Sequence, residues 1–509
     1  MCMRLQAVMA MSWSTRSTLG LTALILMAGA LTPGQAGSDT SWTPAQQLWA
    51  TEDGRQDIGL AVSGNGTRAV VMSKGRAALW TGSTWGPSKP VPKGRYEMVA
   101  PQPHMSWNGK RILATWAANA DEGVDHLYRS TKVGSKKWRT QVFGQGEGVS
   151  ALSDDGTLGA VAWYEIWPDD GKPTEMYVAT WRNGAWSATR DLTLPGLALD
   201  GRRPVVAVQE GTDDAFAAWS QAGRLRVSFF GAAWSPAISG APGRLPMAGT
   251  MNADTGNAEL VTARETGVDE WTLERVTVTQ AGNVAVAGAP IDVITAGSLY
   301  GVDVQSAAGG DSALVEYVDN SVEPVQHLVS IWAEGTGSVT HEVGPVEAVA
   351  ALARNGSAAL ITTMTDSNVA GSTPAVRVTR WDGDSWSAAK KVGRCQDSRV
   401  GSAVSPSGTS MVAGWTCGHV HAVRNPRPPA GIKGLKATVN GKRATLRWKK
   451  AKNADRYQYR LKGRNAPNGW QDANRPKAKV RIARNASYRV AVRGVNGGGP
   501  GPTATLSFR

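Results

Sequence analysis

The sequence predicts an all-β protein, in which a β-propeller of eight blades is followed by a smaller, basic β-domain. Three observations support this fold class. Turns that contain Gly separate short apolar runs at a spacing of about 49 residues. A Trp recurs at a fixed place after many of these turns. Glycine (59) and Trp (21) are abundant among the 509 residues, whereas long apolar stripes of helical period are missing.

The clearest repeat unit runs from Val149 to Leu192. Four short apolar runs are separated there by Asp154–Thr157, by Ile166–Thr174 and by Asn183-Gly184. β-Prone runs bounded by Gly and Asp clusters are typical of an antiparallel meander. A single meander cannot bury its faces, so this unit requires similar neighbours.

Eight turns of this kind can be counted along the chain. Their glycines are Gly66, Gly109, Gly156, Gly211, Gly256, Gly310, Gly356 and Gly408. A Gly followed closely by Trp marks five of the outer strands, at Trp85, Trp138, Trp186, Trp234 and Trp386. Two degenerate copies are expected near Gly282 and Gly337. The alternative is a seven-bladed propeller, with residues 246–345 forming one irregular blade.

The two ends of the repeat array predict how the propeller closes. The last copy, from Ser402 to about Val423, has room for only three strands. The missing strand is expected at Ser41–Trp49, which would remove an exposed sheet edge. Trp residues at fixed places in the repeats are expected to pack between blades. This applies to Trp116, Trp163, Trp186, Trp219, Trp234, Trp386 and Trp415.

Residues 1–36 have the pattern of an export signal. Arg4 and Arg16 supply positive charge, Leu19–Leu31 is an apolar run too short to span a bilayer, and small residues precede Gly37. The alternative is a membrane anchor, which the short run disfavours. We therefore expect a secreted protein, extracellular or associated with the cell surface.

After removal of this signal the chain would keep two cysteines, Cys395 and Cys417. An isolated pair in an exported chain most often forms a disulfide bond. The alternatives are two free thiols, or a metal site completed by His419 and His421. Two cysteines without a fuller ligand set make the metal site the weakest of the three.

The composition changes after a stiff Pro-rich linker at residues 425–430. Residues 427–509 contain 21 Lys and Arg against two acids, a net charge of +19, so residues 1–426 carry −5. We therefore expect a propeller over residues 37–424 and a separate basic domain over residues 431–509.

This basic domain resembles a fibronectin type III domain. The resemblance rests on Leu435, Ala444–Trp448, Ala454–Leu461, Tyr488–Asn496 and Gly499–Pro502. It implies a β-sandwich with Trp448 and Tyr457 in the core, and with Tyr488 as the tyrosine-corner residue. The alternation of apolar and polar residues in these segments agrees with strands.

Many outward positions of these strands are basic, which exceeds what solubility requires. They are Arg447, Lys449, Arg460, Lys462, Lys479, Arg481, Arg489 and Arg493. We expect them to dock on an anionic cell-wall polymer, on an anionic membrane surface or on the acidic propeller itself. The alternative is a merely solvated face. Nucleic acid is not expected, because no aromatic platform interleaves the charges.

Several loops between the predicted second and third strands of the blades are long and acidic. The candidate ligand-binding residues in them are Asp121, Glu122, Asp125, His126, Glu165, Trp167, Asp169 and Asp170. Paired carboxylates on one rim suit glycoside cleavage or Ca²⁺ binding, although exposed loop acids more often serve solubility. Ca²⁺ is therefore the only cofactor considered. The sequence contains no phosphate-binding Gly loop, no His-rich metal motif and no nucleophile elbow.

Taken together, the chain resembles secreted bacterial proteins, actinomycete in style, that join a Trp-repeat propeller to a fibronectin type III domain. Our first hypothesis is a non-catalytic binding or adhesion protein, which we expect to be a monomer. Its propeller would recognise an extracellular glycan or protein, and its basic domain would act as a tether. The alternative is an extracellular glycoside hydrolase. A concave floor with two free carboxylates would favour the hydrolase, and a plugged centre would favour binding.

Overall fold

The protein is described from a computed structural model that covers most of residues 42–509. The residues outside the description are 1–41, 52–55, 83, 93–97, 120–124, 147, 167–172, 183, 201–202, 268–269, 287–290, 296–301, 320–325, 335–336, 345, 366–373, 384, 396–398, 426–428, 455, 468 and 497–498. In the described part, no helix is long and apolar enough to cross a bilayer.

Nearly all regular structure in the described residues is β. Residues 42–425 contain the strands β1 (Gln46–Ala50), β2 (Gly59–Val62), β3 (Ala69–Ser73), β4 (Arg76–Trp80), β5 (Lys89–Pro90), β6 (Val99–Met105), β7 (Arg111–Asn119), β8 (Asp125–Val133), β9 (Arg139–Gln145), β10 (Gly148–Leu152), β11 (Leu158–Ile166), β12 (Pro173–Arg182), β13 (Ala185–Trp186), β14 (Arg190–Asp191), β15 (Val205–Val208), β16 (Ala215–Gln221), β17 (Arg224–Phe230), β18 (Ile238–Pro242), β19 (Leu245–Met251), β20 (Ala258–Gly267), β21 (Glu270–Val278), β22 (Val284–Val286), β23 (Asp292–Thr295), β24 (Asp303–Ser306), β25 (Ser312–Asp319), β26 (Gln326–Ala333), β27 (Gly337–Gly344), β28 (Glu347–Leu352), β29 (Ala359–Thr365), β30 (Ala375–Trp381), β31 (Lys390–Gly393), β32 (Val400–Val404), β33 (Met411–Thr416) and β34 (His419–Asn425). A short 3-10 turn at Ala308–Gly310 interrupts them.

These strands form antiparallel meanders of four, two of which carry a fifth strand. The sheets are β2–β5, β6–β9, β10–β14, β15–β18, β19–β23, β24–β27, β28–β31 and β32–β34 with β1. The stretch that could have been one irregular blade therefore forms two sheets, β19–β23 and β24–β27. The outer strand β22 follows Gly282 closely and the outer strand β27 begins at Gly337, where the degenerate copies were expected.

The first described strand completes the last sheet of the array, as the sequence predicts. Strand β1 pairs antiparallel with β34, with Gln46 opposite Ala422 and Ala50 opposite His419. The strand begins later than expected, at Gln46, and Trp42 before it is buried in the core beside Trp415. The outer edge of β34 is thus covered by strand pairing.

The predicted turn glycines share one backbone conformation. All eight have φ between 65° and 74°, in the left-handed region. A residue with a Cβ is strained there, whereas Gly is not. At Gly156 the space is also filled, because an added Cβ would lie 2.9 Å from Cβ of Arg111. The regular spacing of Gly in the sequence therefore reflects a local requirement of each turn.

Hydrogen bonds join these turns from one sheet to the next. The N–H of Asn65 donates to the carbonyl of Trp107 at 3.0 Å, and the N–H of Trp107 donates to that of Asp154. Similar hydrogen bonds link the turns of the other neighbouring sheets, with one exception. Ser407 of the last sheet donates to the carbonyl of Gly64 in the first turn at 2.7 Å. In the described residues the junction between β19–β23 and β24–β27 is bridged instead by Arg275 and Glu334, 3.0 Å apart.

The first strand of every sheet lines a common central cavity of about 630 Å³. The spaces between neighbouring sheets are filled by apolar side chains. Trp116, Trp163, Trp219 and Trp415 are among the largest fully buried side chains, and Trp234 is also buried. Trp186 and Trp386 are half-buried and pack against Phe143 and His341. Sheets that radiate from a central cavity, each with its first strand innermost, have the architecture of a β-propeller.

A disulfide bond joins Cys395 to Cys417, with 5.8 Å between the Cα atoms. Cys395 follows β31 and Cys417 follows β33, so the bond connects two neighbouring sheets. Both sulfur atoms are engaged, which excludes the free-thiol and metal-site alternatives. His421 stacks on Trp415 instead.

Residues 436–508 form a two-sheet sandwich. Its strands are β35 (Lys436–Asn440), β36 (Arg443–Arg447), β37 (Arg456–Gly463), β38 (Gln471–Ala473), β39 (Lys477–Arg481), β40 (Tyr488–Asn496), β41 (Gly499–Pro500) and β42 (Ala504–Phe508). One sheet has the order β35-β36-β39, and the other is β38-β37-β40 with β41 and β42 also on β40. Trp448, Tyr457 and Tyr488 are buried between the sheets, where the hydroxyl of Tyr488 accepts from the N–H of Ala483 and donates to the carbonyl of Arg464, both at 2.7 Å.

Candidate functional site

The outer face of the three-stranded sheet carries cations in register. Lys436 lies opposite Arg447, and Arg447 lies opposite Lys477 on the other side. These three residues form one row across β35, β36 and β39. The second row consists of Thr438, Thr445 and Lys479, and the third consists of Asn440, Arg443 and Arg481. We call these nine residues the cationic face. Alternation forces this arrangement, because Ala444, Leu446, Ala478 and Val480 point into the core.

The cations of this face have no acidic partners in the sandwich or elsewhere in the described residues. The ion pairs of the described residues all lie within residues 42–425. Like charges directly opposite each other across strands destabilise a sheet. The cationic face therefore presents charge that no acid among the described residues neutralises.

The opposite face of the sandwich is basic too, but two of its cations, Arg460 and Arg493, are engaged by neighbouring side chains. The guanidinium of Arg493 lies 3.9 Å from the ring centre of Trp470, and that of Arg460 lies 5.1 Å from it. Arg493 also donates two hydrogen bonds to Oε1 of Gln458, at 3.0 and 2.7 Å. The Nε2 amide of Gln458 donates in turn to Asp472 at 3.1 Å.

The docking residues expected from the sequence are thus divided between two faces. Arg447, Lys479 and Arg481 lie on the cationic face, and Lys449 follows it at the end of β36. Arg460, Lys462, Arg489 and Arg493 lie on strands of the other sheet. Arg460 and Arg493 occupy outward positions of their strands but are half-buried beside Trp470.

The central cavity contains titratable groups near the start of the innermost strands. Asp303 lines the cavity at a solvent-exposed position, and desolvation by the surrounding protein together with the nearby Glu316 raises its pKa to about 6. The Glu316 carboxylate lies 2.9 Å from Nε2 of His327 and accepts the N–H of Ala350 at 2.8 Å. Of these two carboxylates, that of Glu316 is engaged by His327 and Ala350, and that of Asp303 lines the cavity.

At the other end of the cavity, an arginine that follows β28 reaches across to carboxylates that follow β10 and β15. Arg354 follows β28 and pairs with Glu210 after β15, and its Nη1 lies 3.5 Å from Asp154 after β10. The N–H of Asp154 also donates to Glu210 at 2.7 Å. Burial lowers the pKa of Arg354 and raises that of Asp154, and the attraction between the two charges opposes both shifts in part. We call these three residues the central bridge.

The acidic loop residues expected as ligand-binding groups can be placed only in part. Asp121, Glu122, Trp167, Asp169 and Asp170 lie outside the described residues, and Asp125 and His126 are placed only as the start of β8.

Glu165 is the one of these residues whose side chain the structure describes. It lies opposite Glu175 on the neighbouring strand. Burial and this second carboxylate raise the pKa of Glu165. The hydroxyl of Tyr177 donates to Glu175 at 2.5 Å.

Sequence reasoning missed the central bridge and the cavity-facing Asp303. Arg354 and Glu210 belong to turns that look like all the others in the array, and 144 residues separate them. No local pattern predicts a contact across the cavity. The cationic face was detectable, since Lys477, Lys479 and Arg481 alternate with apolar residues.

Comparison with known proteins gives likenesses in structure only. No protein-family model matches the sequence, and no curated protein matches it. Among solved structures, prolyl oligopeptidase B from Galerina marginata is 9% identical with a TM-score of 0.41. The match covers 75% of this chain and 58% of the oligopeptidase chain. The β-propeller domain of Cps50 (Swd1) from Myceliophteria thermophila is 9% identical with a TM-score of 0.37, covering 63% and 94%. The β-propeller domain of the Trilobed protease from Pyrococcus furiosus is 7% identical with a TM-score of 0.38. The match covers 64% of this chain and 90% of that domain.

The chain spans little more than half the length of the prolyl oligopeptidase. At these TM-scores the likenesses do not bear on activity. The assignment of a propeller rests on the strand pairing and the central cavity described above.

Proposed function

We propose that this is a secreted, non-catalytic binding protein that docks on an anionic surface through its C-terminal sandwich. The cationic face carries this proposal. It places six Lys and Arg side chains on one face of one sheet, without acidic partners among the described residues. Such a face gains Coulomb energy from any dense array of negative charge.

The sandwich is proposed to be a fibronectin type III domain, and the eight sheets are proposed to be eight blades of a closed ring. The first proposal is supported by the strand order of the two sheets and by the hydrogen bonds of Tyr488. The second is supported by the pairing of β1 with β34 and by the belt of turn hydrogen bonds, which returns from Ser407 to Gly64. In this account residues 1–36 are an export signal, and the protein acts as a monomer outside the cell.

The tether is proposed to bind an anionic cell-wall polymer rather than the propeller of the same chain. Residues 1–426 are acidic overall, so an internal clamp is the natural competitor. The described ion pairs of residues 42–425 are formed within that region, and none reaches the sandwich. This distribution favours an external partner.

The propeller is proposed to present a rim that recognises an extracellular glycan or protein. The candidate contacts remain the acidic loop residues Asp121, Glu122, Asp125, His126, Glu165, Trp167, Asp169 and Asp170, with Ca²⁺ as the only ion they would suit. A non-catalytic role is supported by the central bridge, because Arg354 occupies both carboxylates at that end of the cavity.

Salt dependence tests the tether. Residues 37–509 should sediment with purified anionic wall polymer at 0.1 M salt and be released at 1 M. The Debye length falls over this range from about 10 Å to about 3 Å, so a Coulombic contact is lost. Retention that survives 1 M salt, or no retention at 0.1 M, contradicts the proposal.

One observation favours the second candidate function, an extracellular glycoside hydrolase. Asp303 faces the cavity with its pKa raised to about 6, as a general acid requires. The test is hydrolysis of a panel of polysaccharides by residues 37–509 and by the Asp303→Asn variant. Hydrolysis that disappears in the variant would replace the binding proposal, and no hydrolysis of any polysaccharide would remove the alternative.

A further inference from the structure

We propose that the cationic face binds a linear polymer of three-carbon polyol units joined by phosphodiesters, lying along β39. This inference rests on the proposed tether and names its ligand. It depends on the spacing of the charges, on the neutral side chains between them and on the absence of aromatic rings from the face.

The spacing of the cations sets the repeat of the ligand. Lys477, Lys479 and Arg481 stand on alternate residues of β39, all exposed on the same side. Alternate residues of a strand are about 6.8 Å apart. A polymer that pairs with each cation in turn must therefore carry one negative charge about every 7 Å.

Bond counting identifies a backbone with this repeat. Two residues of extended peptide contain six backbone bonds and span about 7 Å. A three-carbon polyol phosphate also has six bonds between successive phosphorus atoms: two P–O, two O–C and two C–C. A five-carbon polyol has eight such bonds, so its phosphates would fall out of step with the cations after one or two repeats.

The centre of the face offers groups for the polyol itself. Thr438 and Thr445 lie opposite each other on β35 and β36, between a row with three cations and a row with two. Thr438 is exposed and Thr445 is half-buried, both on the outer side. Their hydroxyls can donate to and accept from a free polyol hydroxyl, which inorganic polyphosphate lacks.

The same face argues against nucleic acid, whose backbone also has six bonds between phosphates. Its nine residues are Lys, Arg, Thr and Asn, and single-strand recognition normally uses aromatic rings on which bases stack. Among the described residues of the sandwich, Trp470 is an aromatic residue outside the core, and it precedes β38 of the other sheet, where Arg460 and Arg493 cover its ring.

Protection of a sheet edge does not explain the charges either. Lysines on an edge strand such as β39 often prevent sheets from pairing with each other. Arg443 and Arg447, however, lie on β36, which has a neighbour on both sides. Cations on a central strand have no edge to protect.

The test compares soluble oligomers by isothermal titration of residues 37–509 at 0.1 M salt. The probes are a glycerol phosphate hexamer, a ribitol phosphate hexamer, inorganic hexaphosphate, hexathymidylate and poly-glutamate. We expect the glycerol phosphate hexamer to bind at least about fivefold more tightly than the ribitol hexamer and than hexathymidylate. Lys479→Gln should reduce the slope of log affinity against log salt by about 1, and Thr445→Val should weaken binding of the glycerol oligomer but not of hexaphosphate.

The outcomes separate this inference from the function on which it rests. Equal binding of the two polyol oligomers or of poly-glutamate, or tighter binding of hexathymidylate, overturns the inference and leaves an anionic tether. If Thr445→Val binds the glycerol phosphate hexamer as tightly as the parent protein does, the proposed contact between Thr445 and the polyol hydroxyl is wrong. No binding of any probe overturns both proposals. Circular dichroism of each variant confirms that the exposed substitutions leave the fold intact.

Discussion

The charged side chains of the propeller and those of the sandwich have opposite relations to the fold. In the propeller, Arg354 pairs with Glu210 across the cavity, and Arg275 lies between Glu259 and Glu334 of two neighbouring sheets. In the sandwich, the cationic face sets Lys and Arg opposite each other without acids. Charge therefore holds the propeller together, whereas on the sandwich it is available to a partner.

The largest effect should come from removing β1, the strand that pairs with β34 and is proposed to close the ring of sheets. Deleting residues 37–50 exposes the edge of β34, and an open edge invites pairing with other chains. We expect the truncated protein to elute as aggregates and to melt much earlier than residues 37–509. A monomeric truncation with an unchanged melting temperature would contradict the proposed ring closure.

Breaking the disulfide should have the next largest effect. The bond closes a segment with a sequence separation of 22 residues, so the loop-entropy model gives about 3 kcal/mol of stability. The double variant Cys395→Ala/Cys417→Ala should lose about that much in urea unfolding. Intact mass of the secreted protein with and without reduction provides the control, since a bridged protein gains two hydrogens.

A matched pair of arginine substitutions sharpens the comparison directly. Arg354→Met leaves Asp154 and Glu210 together without a counter-charge, and we expect a loss of about 1–3 kcal/mol of stability, less than for a fully buried pair because both side chains of the Arg354–Glu210 pair are partly exposed. Arg447→Met removes a cation that faces only other cations, so stability should be unchanged or slightly higher. Chemical unfolding of both variants measures the difference. Equal losses would mean that charge plays the same role in both regions.

The smallest effect concerns pH and Asp303. Its pKa in the folded protein, about 6, is higher than the ordinary value of 3.8. The folded state therefore keeps a proton that the unfolded state loses, and stability falls as the pH rises from about 4 to about 6. Asp303→Asn should melt slightly higher than the parent at pH 7 and equally at pH 4. A gap that opened at low pH instead would refute this reading of the cavity.

Much of the fold could be predicted from the sequence, because its signals are local. Each turn needs a Gly at positive φ, so the repeat could be read from Gly66 to Gly408. The strand that completes the last sheet followed from counting strands. The division of the basic residues between two faces was harder to predict, because alternation tells inside from outside but does not tell one outer face from the other. Arg493 looks like any outward cation in sequence, and only the chain path brings it to Gln458 and Trp470.

The central claim is that one face of the sandwich, and not its net charge, makes the tether. The most direct measurement compares two triple reversals with the same change in charge. Arg447→Glu/Lys479→Glu/Arg481→Glu alters the cationic face, and Arg456→Glu/Lys462→Glu/Arg489→Glu alters exposed cations of the other sheet. At about 1 kcal/mol for each cation near an anionic surface, the first variant should lose at least about 100-fold in affinity for wall polymer at 0.1 M salt. The second should lose less than about tenfold, and equal losses in the two variants would contradict the account.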